Sequence, residues 1–231
     1  MNPFLGDFRK FLRALLAIFL FTWVALVVFP WLELGHLPPI QLEGDTDIVP
    51  FNVSGLAHAG EHVYAVNGCA YCHTQQVRPA SSGADITRGW GTAKDADGKD
   101  VTRRTYPRDY IWQGQTFLGN SRDGADLSNV GARWTDAAKL YAYLYHPEDL
   151  DPHSSMPAFK FLFITQKISG QPAADALVLP DGVGAPPGYE IVPSADAKAL
   201  VAYLLSLKKG YHLPQDEAGV PYVPPAPGNN S

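Results

Sequence analysis

The chain has 231 residues, of which 46% are hydrophobic and 18% are charged, a balance typical of a folded protein rather than a disordered one. Its net charge of −5 argues against nucleic acid as a partner, because binding phosphates requires a basic surface. The length allows one ordinary domain with appendages.

The N-terminal region, residues 1–34, is predicted to be a membrane anchor. The run 14–32 carries no charged side chain and, as a helix, is long enough to cross the hydrocarbon layer. Arg9, Lys10 and Arg13 precede the run and acidic residues follow it, so the positive-inside rule places the N-terminus in the cytoplasm and the rest of the chain outside. A cleaved signal peptide is the alternative, but the run is too long for one and no Ala-x-Ala site follows it.

Residues 35–54 are predicted to form an extended tether, because prolines interrupt them and no helical period is present. The first helix of the outer domain is predicted from Leu56 to Asn67, with Ser54 as its N-cap and Gly68 as its terminator. Gly60 lies inside this helix and would let another helix approach closely.

The next five residues, Cys69-Ala70-Tyr71-Cys72-His73, form the C-x-x-C-H signature of haem c attachment. Two thiols at this spacing reach the two vinyl groups on one edge of a haem, and His73 then ligates the iron. A redox C-x-x-C pair would open a helix after a strand, which is not predicted here, and zinc or iron–sulfur sites usually need more than the two cysteines present. The motif therefore predicts one covalently bound haem c. Such attachment takes place on the outer side of the bacterial inner membrane, which agrees with the charge pattern around the anchor.

Residues 74–129 are predicted to be a long irregular stretch, with a polar turn at 95–100. A helix is predicted from Thr135 to Tyr145, with Thr135 as its N-cap. Pro147 is predicted to end it. Arg133, just before this helix, is either a haem-propionate ligand or an ordinary surface arginine.

Met156 is predicted to be the distal haem ligand. A lone methionine is usually a core filler, but a haem held by His73 has an empty sixth position, and Met/His ligation is typical of electron-transfer cytochromes c. Met156 also lies downstream of the motif in a proline-bearing loop. His146 and His153 are the nearest rivals, and an open sixth position is the other alternative.

The last helix is predicted from Ser194 to Lys209, capped by Ser194 and ended by Gly210. It should cross the first domain helix near Gly60 and Tyr203. The fold class predicted is therefore mostly α: one N-terminal transmembrane helix and a class I-like cytochrome c domain with long loops, spanning 55–212.

Two segments around that last helix carry weaker patterns. The runs 176–179 and 189–192 flank a turn rich in glycine and proline, which predicts a short β-hairpin. The tail 213–231 is rich in proline and is predicted to be extended or disordered.

Three stretches resemble the mono-haem subunit (CcoO or FixO) of C-family, cbb3-type haem–copper cytochrome c oxidases. They are GCAYCHTQQVRP at 68–79, DLSNVGARWTD at 126–136 and SMPAF at 155–159. The resemblance covers about residues 55–163, and the anchor matches in layout. The chain departs from the family where Gly124-Ala125-Asp126-Leu127 stands in place of the usual G-P-D-L, and the segment 91–123 is longer and differently composed.

The resemblance implies a non-catalytic subunit that relays electrons through its haem to the catalytic haem–copper subunit of a terminal oxidase in aerobic respiration. Its implied partners are that subunit, the other cytochrome subunits, membrane lipid and a soluble cytochrome or copper-protein donor. The residues implied are Cys69 and Cys72 for attachment, His73 and Met156 as axial ligands, and Arg78 and Arg133 for propionate or interface contacts.

Three other functions are compatible with these features. The first is the cytochrome subunit of a nitric oxide reductase, and the second is a free-standing anchored cytochrome that shuttles electrons. The third is a haem protein that binds a small ligand, which requires that Met156 does not ligate the iron.

Overall fold

The computed structural model describes residues 8–41, 48–94, 98–180 and 182–211, and in these ranges the chain is rich in helices with small antiparallel strand pairs. The helices are α1 (Phe8–Leu34), α2 (Gly55–Val66), α3 (Val130–Arg133), α4 (Ala137–Tyr145) and α5 (Ala195–Ser206). The strands are β1 (Ile40–Gln41), β2 (Ile48–Val49), β3 (Thr92–Lys94), β4 (Asp100–Thr102), β5 (Phe163–Lys167) and β6 (Tyr189–Pro193). Single 3₁₀ turns lie at Cys69–Tyr71, Pro107–Tyr110, Pro147–Asp149 and Lys160–Leu162.

Helix α1 is 27 residues long, its mean hydropathy reaches 2.4, and its apolar stretch is not buried against the rest of the chain. These properties fit a single-pass membrane anchor. The helix widens to a π-helical turn at Val24–Val28, directly before Pro30. A proline has no N–H to donate to the carbonyl four residues earlier, which accounts for the local change in hydrogen bonding.

The segment after the anchor contacts the outer domain at several points. Strands β1 and β2 pair with Ile40 opposite Val49, and Val49 is fully buried. Trp112 donates from Nε1 to the Pro50 carbonyl at 2.8 Å, and Arg108 donates to the Pro38 carbonyl. The predicted tether is therefore non-helical, as expected, but its described residues are attached to the domain rather than running free.

Helices α2 and α5 cross at Gly60, which confirms the predicted crossing. A Cβ atom placed on Gly60 would lie 1.9 Å from the Ala199 carbonyl oxygen and 2.7 Å from Cβ of Tyr203. No side chain other than hydrogen fits at this contact, so the glycine sets the distance between the two helices.

The core lies where α2, α4 and α5 meet. Its aromatic centre is Tyr64, whose ring centroid lies 5.4 Å from that of Tyr203 and 5.2 Å from that of Phe117. Aliphatic side chains from α4, α5 and the turn before β5 fill the space around it, namely Leu140, Leu144, Leu162, Leu200, Val201 and Leu204.

Two predicted helix ends are wrong. The N-cap of α4 lies one position later than predicted: Asp136 accepts from the Ala138 N–H at 2.9 Å, so Thr135 is not the N-cap and the helix begins at Ala137. Helix α5 is capped by Ser194 as predicted, but it ends at Ser206 instead of Lys209. The Lys209 N–H there donates to Asn129 Oδ1 at 2.6 Å, a tertiary bond that replaces the last turn of the helix.

The predicted hairpin has one correct strand. Strand β6 covers the predicted run 189–192, but its antiparallel partner is β5, with Thr165 opposite Ile191. The predicted partner run 176–179 makes only a single backbone hydrogen bond to β6 among the bonds described, from Leu177 N–H to the Ile191 carbonyl at 2.8 Å.

The segment predicted as irregular contains one further antiparallel pair. Strands β3 and β4 pair on either side of the predicted polar turn, of which 95–97 lie outside the described residues. The tail 213–231 lies outside them as well.

Candidate functional site

The C-x-x-C-H motif folds as one tight turn directly after α2. Gly68 has a φ of +69°, a backbone conformation that glycine adopts without strain. The turn is closed by the His73 N–H, which donates to the Cys69 carbonyl at 3.0 Å. Cys69 is half-buried against the core and Cys72 is exposed, and burial raises the pKa of the Cys69 thiol to about 11.

The imidazole of His73 is held in one orientation by a second loop. Its Nδ1 lies 2.8 Å from the Ala125 carbonyl oxygen. Because a carbonyl oxygen can only accept, Nδ1 carries the proton and Nε2 is the basic nitrogen that can bind a metal. A Cβ on the neighbouring Gly124 would lie 2.3 Å from Cε1 of His73, so the backbone at Gly124 packs directly against the ring.

Asp126 joins the two loops on either side of His73: the first loop follows the haem motif at 74–79, and the second loop contains 122–127. It is fully buried and accepts from Thr74 Oγ1 at 2.6 Å and from the Gln76 N–H at 2.8 Å. The Leu127 N–H adds a bond to the Thr74 carbonyl at 2.8 Å. The family-like strings 68–79 and 126–136, distant in sequence, are therefore adjacent in the fold.

Met156 packs on the same core cluster as Cys69 and is half-buried. Its loop is held to α4 by the Phe159 N–H, which donates to the Leu144 carbonyl at 2.8 Å. Of the rival ligands, His146 has its Nδ1 3.0 Å from Asp149 Oδ1, and His153 is exposed.

These donors fit a haem. The chain presents a basic imidazole nitrogen, a thioether and two cysteines. Two of these residues, Cys69 and Met156, pack on the core together with other half-buried apolar side chains, namely Ala70, Leu127, Trp134 and Phe159. Half-buried apolar side chains of this kind are what the hydrophobic face of a haem would cover.

The two predicted arginines are both engaged with protein groups. Arg78 forms an ion pair with Asp85, with Nη2 2.9 Å from Oδ1. Arg133 is partly buried and donates to the Trp90 carbonyl at 2.9 Å and to the Asp126 carbonyl. Their contacts with haem propionates stay a prediction.

Sequence reasoning does not predict two groups that contact His73, namely Gly124 and the Ala125 carbonyl. The stretch 124–127 carries a signal, because it departs from the G-P-D-L of the resembled family. The ion pair between Asp85 and Arg122, 37 positions apart, is also not predicted, because no local pattern encodes a contact between loops.

Comparison with protein-family models gives a match that covers most of the chain. The family model described as "Cytochrome C oxidase, mono-heme subunit/FixO" matches residues 15–201, which is more than half of the chain. No curated protein matches the sequence.

Proposed function

Because the chain belongs to the mono-haem subunit (FixO) family of cytochrome c oxidases, we propose that it is the membrane-anchored cytochrome that relays electrons to the catalytic subunit of a cbb3-type terminal oxidase. The observation that carries the proposal is the bond from His73 Nδ1 to the Ala125 carbonyl, 2.8 Å long. It orients a C-x-x-C-H histidine as a metal ligand, beside half-buried apolar side chains that suit a haem.

The roles follow from the chemistry of each side chain. Cys69 and Cys72 would hold the haem through thioether bonds, and His73 through Nε2 and Met156 through its thioether would ligate the iron. When bound, the haem supplies a reversible one-electron centre. A thioether ligand favours the ferrous state and raises the reduction potential. If His73 and Met156 both hold the iron, no position would remain for a substrate, so the bound haem would serve electron transfer.

The rest of the chain would position this centre. Helix α1 would anchor the protein in the bacterial inner membrane with its N-terminus in the cytoplasm, as the basic residues before the helix favour. The class I-like haem domain would then stand in the periplasm beside the haem–copper subunit and the other cytochrome subunits, within reach of a soluble cytochrome or copper-protein donor.

The decisive experiment is a mild-detergent purification of the native membrane complex, with mass spectrometry of its subunits and a reduced-minus-oxidised spectrum. We expect a large copper-containing subunit, b-type and c-type haem bands and oxygen consumption. A partner with non-haem iron and no copper would point instead to nitric oxide reduction. A chain that purifies alone with a c-type band would be an anchored electron shuttle.

The proposed ligands are tested in the same complex. Met156→Ala should abolish the low-spin methionine band and lower the potential of the c-type haem, whereas His153→Ala should leave both unchanged because His153 is exposed. An unchanged spectrum in Met156→Ala would mean that another group, or none, occupies the sixth position.

A further inference from the structure

A buried carboxylate lies behind the haem-motif loop and is shared by two arginines. Asp85 is 1% exposed. It accepts from Arg78 Nη2 at 2.9 Å through Oδ1 and from Arg122 Nη1 at 2.7 Å through Oδ2. The Arg78 backbone N–H donates to the same Oδ2 at 2.8 Å. Neither the proposed haem ligation nor the core packing accounts for this cluster.

The cluster ties together two segments that are distant in sequence. Arg122 donates from Nη1 to Asp85 and from Nη2 to the Gln76 carbonyl, both at 2.7 Å. Arg78 and Asp85 both follow the haem motif and lie seven positions apart, whereas Arg122 lies 37 positions beyond Asp85. The single carboxylate is therefore the common acceptor that connects the segment after the haem motif with the loop that contains Arg122.

Arg122 stands close to the groups that hold the imidazole. It precedes Gly124 by two positions, and the Gly124 N–H donates to the Cys72 carbonyl at 2.9 Å. The next residue, Ala125, supplies the carbonyl that accepts from His73. A shift of the Arg122 side chain would move this short segment, and with it the hydrogen-bond acceptor of the imidazole.

Asp85 is charged under ordinary conditions. Burial raises its pKa, but the hydrogen bonds from Arg78 and the charges of both guanidinium groups outweigh burial, so that the pKa of Asp85 lies below its usual range. Replacing the carboxylate with a neutral group would leave two neighbouring cations without their shared counter-ion. Arg122, whose side chain is 19% exposed, would be affected more than Arg78, which is 39% exposed and better solvated.

We propose that Asp85 is a positioning residue for the haem ligand His73, acting through Arg122 on the loop that orients the imidazole. The inference rests on the proposed ligation of haem by His73. In metal sites, groups that orient a ligand tune the metal without touching it. Removing Asp85 should therefore change the electronic properties of the iron and not only the stability of the domain.

The test uses Asp85→Asn in the complete purified complex. Two quantities report on the axial ligand: the g-values of the oxidised low-spin c-type haem in electron paramagnetic resonance, which depend on the orientation of the imidazole, and its midpoint potential. Both should shift in Asp85→Asn. The matched control is Asp100→Asn, which removes a carboxylate paired with Lys94 at 2.6 Å on the surface, and it should shift neither.

A second variant tests the positioning role of Asp85 even if Asp85→Asn does not assemble. Arg122→Gln removes the link to the second loop but keeps the pair between Asp85 and Arg78, and it should shift the g-values in the same direction. The double variant should add little to either single change, because both act through one contact.

The outcomes separate the two proposals. If the haem that stays bound in Asp85→Asn or Arg122→Gln keeps its wild-type g-values and potential, Asp85 only stabilises the fold and the inference is wrong. If the wild-type complex itself contains no low-spin c-type haem, the proposed function fails first, whatever the variants do.

Discussion

Replacing Gly60 with alanine tests the helix crossing on which the haem domain is built. The added Cβ would lie 1.9 Å from the Ala199 carbonyl oxygen, 2.4 Å from its carbonyl carbon and 2.7 Å from Cβ of Tyr203. All three atoms are backbone or Cβ atoms, so no flexible side-chain end can move aside. The helices α2 and α5 would have to separate.

The size of the effect follows from two opposing terms. Alanine in a helix interior is favoured over glycine by about 1 kcal/mol, whereas forcing an extra methyl group into a packed interface costs about 1–3 kcal/mol and sometimes more. A contact with rigid backbone belongs at the upper end of that range, so we expect a net loss of about 2 kcal/mol. For a domain of this size the melting temperature would fall by about 4–8 °C.

The assay is thermal unfolding of the full chain in detergent, followed by circular dichroism at 222 nm. The control is Gly114→Ala, since a Cβ at Gly114 meets nothing within 4 Å, and its melting temperature should match the wild type. If the melting temperature of Gly60→Ala also equalled that of the wild type, the close approach of the two helices would be disproved.

Three further predictions use other contacts. Burial alone would raise the pKa of Asp109, but the interactions of its carboxylate, led by those with Arg103, together outweigh burial and lower the pKa to about 2. The ionised carboxylate therefore stabilises the fold above about pH 4. A contribution of about 2 kcal/mol is lost as the pH falls toward 2. Melting curves between pH 5 and 2 should show this loss in the wild type and not in Asp109→Asn. Gly124→Ala should displace the His73 ring and weaken the low-spin c-type spectrum, because the new Cβ would lie 2.3 Å from Cε1; an unchanged spectrum would contradict the contact. Ser194→Ala should destabilise the domain by about 1 kcal/mol in urea unfolding, whereas Ser54→Ala should change little, since Ser194 accepts a capping bond and Ser54 does not.

Elements with strong local signals could be predicted from the sequence. The helix beginning near Ser54 and the cap at Ser194 follow from local patterns. The end of α5 could not be predicted, because Asn129, from a distant loop, accepts from the Lys209 N–H. A helix end set by a tertiary hydrogen bond leaves no trace in the neighbouring residues.

The strand partner of β6 was missed for a related reason. Strand β5, Phe163–Lys167, is mostly exposed, so it lacks the alternation of apolar and polar residues that marks a half-buried strand. The run 176–179 is more apolar, and the sequence therefore predicts it as the partner instead. Pairing here is set by backbone bonds between two segments separated by a long loop, and hydrophobic pattern does not encode them.

The candidate ligands can be named from the sequence, whereas the groups that contact them cannot. A covalent haem motif is five residues long and local, so Cys69, Cys72 and His73 can be named from spacing alone. The carbonyl that orients His73 lies 52 positions later, and a backbone acceptor has no side-chain identity to recognise. Only the folded chain shows which loop supplies it.

The loops around the site are held by buried carboxylates in place of regular secondary structure. Asp126 accepts from Thr74 and Gln76, Asp85 joins two arginines, and Asp109 accepts from Arg103 and the Tyr106 N–H. Each bond satisfies a polar group that a helix or sheet would otherwise pair. Ionised carboxylates accept more strongly than neutral groups, and the lowered pKa values of Asp85 and Asp109 keep these two ionised at neutral pH. The same dependence on charge means that acid should loosen the loops before it melts the apolar contact of α2 with α5.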